Sequence, residues 1–286
     1  MQTGVPEKLL LVAGHGSYPQ CLFDGARKAG VRHIVLAAVR GMTSRRLAAQ
    51  ADEVEWIGIG EFEKFLRLID QAARRGVRHV ALAGQITPAV IFHPRMDQAA
   101  RDLLRSIPLK NAHTVFGRIS DILASHGLQT LPASCFMDDC LPAPGVLTQR
   151  APTAQETNDI EIGHRIAMTI CGLDIGQTVV VKDGMILAVE GFDGTNATIL
   201  RGGKLGGRGV VVVKVAKDGH DMRFDIPVIG AKTIPVLKKA RVTAIAFQAR
   251  RTVLLERDEV IAAANRLHIA MIALDSGLPP APTRIS

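Results

Sequence analysis

Residues 8–19 read Lys-Leu-Leu-Leu-Val-Ala-Gly-His-Gly-Ser-Tyr-Pro, an apolar strand that passes through a glycine-rich turn into a helix. Proline suits the first turn of that helix, because an amide hydrogen there would have no helical partner. Similar apolar strands alternate with amphipathic helices farther along the chain, and three are predicted at Ile34–Val39, Val54–Ile59 and His79–Ala83. This order predicts a parallel, doubly wound sheet, so the first half should be a Rossmann-like α/β domain.

A proline-rich stretch between Leu131 and Pro152 interrupts this pattern and marks a domain boundary. Beyond it, a helix is predicted over Asp159–Gly172, and a β-hairpin turns at Asp183-Gly184. Further strands are expected at Val210–Val215, Thr243–Phe247, Thr252–Leu255 and Ile269–Leu274, and helices at Ala231–Ala240 and Asp258–Leu267. We therefore predict two domains, a Rossmann-like domain over residues 1–134 and a mixed α/β catalytic domain over residues 135–286.

Composition narrows the class of protein. The mean hydropathy of the 286 residues is +0.18, yet no apolar run approaches the ~20 residues that span a bilayer. The N-terminus lacks the layout of a signal peptide, so a cytoplasmic location is expected. The four cysteines show no Cys-x-x-Cys spacing, which indicates neither a zinc site nor a disulfide framework.

The net charge of +8 is spread along the chain, and it favours an anionic partner. Nucleotides, nucleic acid and an acidic lipid surface all meet that description. Aromatic residues make up only 4% of the chain, so stacking platforms for single-stranded nucleic acid are scarce. Small phosphates or an anionic membrane surface, with peripheral attachment, are therefore the expected partners, and no nucleic acid is expected. The sequence leaves the oligomeric state open, a homodimer included.

The first candidate site is the turn Gly14-His15-Gly16 together with Gly84-Gln85, which follows a neighbouring parallel strand. Backbone amides at the start of a helix can hold a phosphate or lie against a nucleotide base. The same residues are equally well explained as a tight turn, because a full Gly-x-Gly-x-x-Gly is missing. No acidic residue ends the second strand to bind a ribose, since Arg40 stands there instead.

The second candidate site is a polar cluster set among apolar strands in the second half. Glu190, Lys214 and Asp225 end or closely follow three strand-like runs. Carboxylates and lysines gathered at one sheet edge suit a magnesium-bound phosphoanhydride, with Mg²⁺ or Mn²⁺ on Asp225 and Glu190. Lys214 is notable because an inward-facing lysine needs an anionic partner. The remaining substrate-binding candidates of this cluster are Gly194, Thr195, Asn196, Lys217, Arg223 and Thr233.

Each of these polar residues also has a purely structural explanation. A helix cap or a surface pair with Arg223 explains Asp225 equally well, and Glu190 has the same two explanations. Thr195-Asn196 would be explained by a helix N-cap. The residue types do not decide which carboxylate binds metal and which positions water.

The order of these motifs resembles the LpxI family of UDP-2,3-diacylglucosamine pyrophosphatases. In the second half, the resemblance is carried by Asp174–Gln177, Leu187–Gly191, Asp193–Thr195, Lys214, Arg223–Gly230 and Thr233. In the first half, it is carried by Ala13–Pro19, Gly58–Phe62 and Ala83–Gln85. The matches keep one order over nearly the whole chain. Two positions depart from the family pattern, which often has glycine where His15 stands and an acidic residue where Asn196 stands.

The resemblance implies a cytoplasmic, metal-dependent enzyme of lipid A synthesis with two domains and the active site between them. Such an enzyme hydrolyses UDP-2,3-diacylglucosamine to UMP and 2,3-diacylglucosamine 1-phosphate, also called lipid X. It implies that Asp225 is the key catalytic residue and that water attacks the sugar-side phosphorus. Two other classes stay open from the residues alone: an NAD-type oxidoreductase and a non-catalytic nucleotide-sugar binding or regulatory protein.

Overall fold

The computed structural model describes residues 4–84, 96–107, 112–216 and 226–275. The described chain divides into two compact units, and the division falls between Asp138 and Asp139. Each unit has its own sheet and its own buried core, so each is described by itself.

The first unit is built on a five-stranded sheet in the order β3-β2-β1-β4-β5, with every pair of neighbours parallel. Its strands are β1 (Lys8–Ala13), β2 (His33–Val39), β3 (Glu53–Ile57), β4 (His79–Ala83) and β5 (Gln129–Thr130). Its described helices are α1 (Tyr18–Ala29), α2 (Arg45–Ala48), α3 (Phe62–Arg74), α4 (Gln98–Arg105) and α5 (Ala112–Ser125). The parallel sheet predicted for the first half is thus confirmed.

The core of the first unit explains the apolar runs of its strands. On one face of the sheet, Phe65 and Ile69 of α3 and Leu123 of α5 pack against Leu10 and Val80. Leu9 and Leu11 are fully buried as well, and their side chains point to the opposite face because strand residues alternate. A strand covered on both faces reads as a continuous apolar run, which is the pattern of parallel sheets.

The second unit contains a six-stranded mixed sheet in the order β6-β13-β11-β9-β7-β8. Strands β9, β11 and β13 are parallel to one another, whereas β7, β8 and β6 add antiparallel pairs at the two sides. The strands are β6 (Gly145–Val146), β7 (Thr178–Lys182), β8 (Met185–Val189), β9 (Val210–Lys214), β11 (Val242–Gln248) and β13 (Ala270–Leu274). A separate two-stranded sheet pairs β10 (Val228–Ile229) with β12 (Val253–Leu254).

Helices cover both faces of the six-stranded sheet. They are α6 (Ala154–Gly172), α7 (Gly194–Gly206), α8 (Thr233–Lys239) and α9 (Arg257–Arg266), and a 3₁₀ helix spans Asp138–Cys140. One core contains α6 and the side chains of Val179, Val181, Val211 and Val213. The other core contains α7, α8 and α9 with Val180 and Val212. The expected mixed α/β second domain is confirmed.

Helix α7 is the main element that the sequence pattern did not predict. It contains Gly202, Gly203 and Gly206, and glycine within a helix is unfavourable by about 1 kcal/mol each. Close packing accounts for them: a Cβ at Gly202 would lie 2.5 Å from a Val180 methyl, and one at Gly203 would lie 2.5 Å from the Ala240 carbonyl oxygen. Tertiary packing therefore overrides helix propensity in α7.

Helix α6 begins earlier than predicted, at Ala154, because a capping box starts it. The Thr153 hydroxyl accepts from the Glu156 amide at 3.2 Å, and the Glu156 carboxylate accepts from the Thr153 amide at 2.8 Å. Glu156 also forms an ion pair with Arg150, whose Nη1 lies 2.7 Å from Oε2. The buried Glu156 carboxylate, held by Arg150 and Thr153, fixes the point at which the second unit's first α-helix begins.

Candidate functional site

Three strand ends of the six-stranded sheet meet at one edge, and two predicted site residues lie there. Lys214 ends β9, and its register partner on the antiparallel strand is Thr178, the first residue of β7. Glu190 follows β8 directly, and its amide donates to the Thr178 carbonyl at 2.9 Å. The sheet therefore holds Glu190 and Lys214 on either side of the fully buried Thr178.

The hydroxyl of Thr195, in the first turn of α7, connects these residues. It donates to Oε1 of Glu190 at 2.8 Å and accepts from Nζ of Lys214 at 2.9 Å. A longer contact of 3.4 Å joins it to the hydroxyl of Thr178. A hydroxyl has one hydrogen to donate and two lone pairs, so these contacts use its full capacity. The half-buried Lys214 thus reaches a carboxylate through one bridging hydroxyl.

The loop before β7 fixes the second oxygen of Glu190. The Gln177 amide donates to Oε2 at 3.2 Å. The backbone of Gly176 lies so close that a Cβ there would stand 2.3 Å from the Glu190 carbonyl oxygen. A side chain at position 176 would therefore displace Glu190. Each carboxylate oxygen keeps a lone-pair position beyond these hydrogen bonds, since a carboxylate offers about four.

The N-terminus of α7 adds backbone donors to the same place. Asp193 is the N-cap residue, but its side chain makes no capping bond to the helix. It accepts instead from Arg201 and, at 3.2 Å, from the Gly191 amide. The hydrogen bond from Arg201 lowers the pKa of Asp193. First-turn amides without a side-chain cap, together with the helix dipole, form a suitable site for a phosphate group.

Two residues at the end of β11 belong to this edge and were missed from the sequence. Gln248 is completely buried, and its Oε1 accepts from the Ala216 amide at 2.7 Å, just beyond Lys214. Arg251 follows three residues later and is only 7% exposed. Gln248 lies at the carboxyl end of a parallel strand and Arg251 lies just past it, which is where α/β sheets bind ligands. The signal that would have identified them was Gln248 directly after the apolar run Thr243–Phe247, with Arg251 three residues later.

The glycine-rich turn of the first unit lies at a corresponding place in its own sheet. The Gly14 amide donates to the Ala83 carbonyl at 2.8 Å, so the ends of β1 and β4 touch. Gly84 has a φ of +89°, and a Cβ there would lie 2.9 Å from the His15 carbonyl oxygen. Strands β1 and β4 also flank the point where the strand order reverses, which is where doubly wound sheets bind ligands.

The structure thus gathers some predicted site residues and separates others. Glu190, Gly194, Thr195 and Lys214 come together in the second unit, and Gly14, His15, Gly16 and Gly84 in the first. Asn196 is exposed on the first turn of α7, and Thr233 starts α8 with local bonds to Gly230. The predictions for Gln85, Lys217, Arg223 and Asp225 concern residues that lie outside the described ranges.

One prediction about this site was wrong in detail. Thr195-Asn196 was expected to be the N-cap of a helix, but the N-cap residue of α7 is Asp193. The Thr195 side chain bonds to Glu190, Lys214 and Thr178 instead. The helix begins two residues earlier because Gly194, at φ +79°, allows the chain to turn into it directly.

Two further features bear on the class of protein. Within residues 4–84, 96–107, 112–216 and 226–275, no three His, Cys, Asp or Glu side chains form a group that could hold a metal ion. In the same ranges, no helix combines the length and apolar character that a membrane crossing requires.

Comparison with known proteins agrees with this geometry. The family model described as the LpxI N-terminal domain matches residues 8–140, and that of the LpxI C-terminal domain matches residues 143–272. A curated relative, the UDP-2,3-diacylglucosamine pyrophosphatase LpxI of Caulobacter vibrioides, is 29% identical over 281 residues. That alignment covers 94% of this chain and 98% of the relative. With both family domains matched in order along its length, the chain belongs to the LpxI family.

Proposed function

We propose that this protein is a UDP-2,3-diacylglucosamine pyrophosphatase of lipid A synthesis, a phosphoanhydride hydrolase that yields UMP and 2,3-diacylglucosamine 1-phosphate. The observation that carries the proposal is the cluster of Glu190, Thr195 and Lys214 at the open N-terminus of α7, in a chain of the LpxI family. A carboxylate, an ammonium group and first-turn helix amides without a side-chain cap at one point meet the needs of pyrophosphate cleavage.

The reaction that we propose is a single displacement. Water adds to the sugar-side phosphorus, the bond from that phosphorus to the bridging oxygen breaks, and the bridging oxygen leaves with UMP. The Lys214 ammonium and the first amides of α7 stabilise the negative charge that develops on the phosphate oxygens. Lys217 and Arg223 are proposed to add positive charge. Asp225 or Glu190 orients the water, and we leave open which carboxylate does so.

A divalent cation forms part of the proposal. Glu190 fits as an oxygen donor, because both of its oxygens retain lone pairs beyond the bonds from Thr195 and Gln177. Mg²⁺ needs only one or two carboxylates when substrate phosphates complete its coordination, so Glu190 and Asp225 would hold Mg²⁺ or Mn²⁺. The ion would neutralise pyrophosphate charge.

The remaining predicted residues are proposed to bind the rest of the substrate. Gly14, His15, Gly16, Gly84 and Gln85 are assigned to the nucleotide sugar, because amides at the start of α1 lack a side-chain cap from Ser17. Thr195 and Asn196 are assigned to the pyrophosphate through their backbone amides, and Gly194 through the turn that it forms into α7. Thr233 is assigned to the pyrophosphate through its side-chain hydroxyl. We further propose a cytoplasmic location beside the inner membrane, since the substrate is a lipid and the net charge is +8.

The alternatives receive less support. An NAD-type oxidoreductase would need an acidic residue after β2 to bind the ribose. That position is held by the exposed Arg40, whose Nη2 donates to the Trp56 carbonyl at 3.2 Å. A purely regulatory binding protein would not require a carboxylate whose two oxygens are fixed by the Thr195 hydroxyl and the Gln177 amide.

One incubation separates the three classes. The purified protein is mixed with UDP-2,3-diacylglucosamine and Mg²⁺, and release of UMP is followed by chromatography. Hydrolysis supports the proposal, binding without turnover supports the regulatory protein, and turnover only with a nicotinamide cofactor supports the oxidoreductase. In H₂¹⁸O the label is expected in the sugar phosphate, and label in UMP would contradict attack on the sugar-side phosphorus.

A further inference from the structure

The outer surface of α7 and α8 carries an unusual excess of positive charge. Residues 193–209 and 230–241 contain seven basic residues and a single acidic one, Asp193, which is paired with Arg201. All seven basic side chains are exposed: Arg201, Lys204, Arg208, Lys232, Lys238, Lys239 and Arg241. We call this the α7–α8 face.

These basic residues form one surface because the two helices pack closely. A Cβ at Gly203 of α7 would lie 2.5 Å from the Ala240 carbonyl oxygen, just after α8. The Gly209 amide donates to the Arg241 carbonyl at 3.2 Å, which brings the segments after both helices together. The ends of α7 and α8 that carry most of the positive charge are therefore neighbours.

The other helices of the second unit do not share this excess. Helix α6 covers the opposite face of the sheet, and its exposed charges are one acid, Glu161, and one base, Arg165. Helix α9 carries Arg257 and Arg266 against Asp258 and Glu259. The charge of the second unit is thus polarised toward the α7–α8 face, which is more specific than the basic character of the whole chain.

Large apolar side chains are exposed beside this surface. Leu205, next to Lys204 on α7, is 65% exposed. The loop that leads into α7 carries Phe192, which is 94% exposed and lies two residues from Glu190. Met185, at the start of the edge strand β8, is 64% exposed. Isolated apolar residues are common on surfaces, but a basic face bordered by a phenylalanine that is 94% exposed and a leucine that is 65% exposed is typical of proteins that lie on membranes.

We propose that the α7–α8 face docks on an anionic phospholipid bilayer. Its lysines and arginines would face lipid phosphates, and Leu205 and Phe192 would enter the interfacial layer. Charge complementarity selects this occupant over a second copy of the chain, because two such faces would repel each other. Docked in this way, the N-terminus of α7, with Glu190 and Thr195, lies near the bilayer. Only the use of this orientation to take up a lipid substrate rests on the proposed function; the docking itself does not.

The test compares two full-length variants of equal charge change. Lys204, Arg208, Lys238 and Lys239 are replaced by Gln in the face variant. Arg45, Arg46, Arg67 and Arg74, exposed in the first unit, are replaced by Gln in the control. Sedimentation measures binding to phosphatidylcholine vesicles with and without phosphatidylglycerol. We expect the face variant to lose about 100-fold or more in affinity for the anionic vesicles, and the control to keep most of it.

Two additional measurements test the apolar contact with the bilayer and separate docking from catalysis. Leu205→Ser should weaken vesicle binding without changing its dependence on salt, since it removes apolar area and no charge. Hydrolysis of a dispersed short-chain substrate should be unchanged in the face variant, so failure of docking and failure of the proposed reaction are distinguishable. Equal vesicle binding by the two charge variants would overturn the proposal. So would a face-dependent affinity for duplex DNA or an acidic protein with none for vesicles.

Discussion

Glu190 and Lys214 are joined through a single hydroxyl, that of Thr195, which donates to the carboxylate at 2.8 Å and accepts from the ammonium at 2.9 Å. The arrangement keeps the two charged groups at the same sheet edge while a neutral atom lies between them. Because the hydroxyl has no capacity left, the substrate contact of Thr195 is expected to be its backbone amide, and the side chain has a positioning role.

Replacing Thr195 by Val removes the hydroxyl and keeps the shape of the side chain. We expect kcat to fall about 10- to 100-fold with little change in KM, because the loss concerns the orientation of groups that act in the transition state. Steady-state kinetics with UDP-2,3-diacylglucosamine give both constants. Thr195→Ser is the matched control and should keep kcat within about threefold, since it retains the bridging hydroxyl.

A loss of thermal stability would not by itself lower kcat at constant KM in the Val variant and spare kcat in the Ser variant. If the Val variant had the kcat of the native protein, or if the Ser variant were equally impaired, Thr195 would not position Glu190 and Lys214. A raised KM with unchanged kcat would instead assign the hydroxyl to substrate binding.

Much of the fold could be predicted because its signals are local. The strand from Lys8 to Ala13 and the hairpin at Asp183-Gly184 lie where their apolar pattern and turn residues indicate. Helix α7 could not be predicted, since Gly202 and Gly203 are explained only by contacts with Val180 and Ala240, which are distant in sequence. Local propensity carries no information about such contacts.

The site was predicted in part for the same reason. Glu190 and Lys214 stand out as polar residues at strand ends, but their connection through Thr195 depends on the order β9-β7-β8 in the sheet. Gln248 was not predicted because an uncharged amide at the end of an apolar run is a weaker signal of a site than a charged side chain. Its burial and its bond to the Ala216 amide become evident only when β9 and β11 are seen as neighbours.

Asp225 is the residue to which the family resemblance assigns the main catalytic role. We expect Asp225→Ala to abolish nearly all turnover while the fold and substrate binding remain largely intact, because a water or metal ligand acts mainly in the transition state. Single-turnover assays and calorimetric titration with substrate measure the two properties. Asp258→Ala, on the exposed first turn of α9, serves as the control. Activity of the Asp225 variant within about tenfold, a loss of only ~1.4 kcal/mol, would exclude the role.

Metal removal should stop the reaction. The proposed ligands Glu190 and Asp225 are oxygen donors, so we expect chelation to abolish hydrolysis and Mg²⁺ or Mn²⁺ to restore it. Glu190→Gln keeps the bond from Thr195 but loses a negative charge, and it should raise the Mg²⁺ concentration that gives half-maximal activity. Full activity after exhaustive chelation would leave Lys214 and the helix amides as the electrophiles.

Gly84 is expected to tolerate no side chain. At φ +89°, alanine is strained by about 1 kcal/mol, and its Cβ would also lie 2.7 Å from Cγ of Pro19. Gly16 is the control, because it has φ +101° but nothing within 4 Å of the added Cβ. Urea unfolding should show a larger loss of stability for Gly84→Ala than for Gly16→Ala. Equal losses of stability in the two variants would mean that backbone strain alone, and not the contact with Pro19, makes alanine unfavourable at position 84.

Glu156 should make the stability of the second unit depend on pH. Burial alone would raise the pKa of its carboxyl, but hydrogen bonds from Arg150 and the Thr153 amide outweigh it and lower the pKa to about 2, from 4.5. The carboxyl is therefore more acidic in the folded than in the unfolded state. Its contribution is fully present above pH 4.5 and is lost as the pH falls toward 2.

The expected result is a pH-dependent difference between the native protein and Glu156→Gln. At neutral pH the variant should be less stable by about 2 to 3 kcal/mol, because it loses the charge of a buried carboxylate that pairs with the half-buried Arg150. Near pH 3 the difference should shrink, since the native carboxyl is then losing its charge-dependent advantage. Urea unfolding at several pH values measures this difference, with Glu161→Gln on the exposed face of α6 as the control. A destabilisation that stayed constant from pH 7 to pH 3 would show that the Glu156 carboxylate contributes through shape and neutral hydrogen bonds, not through its charge.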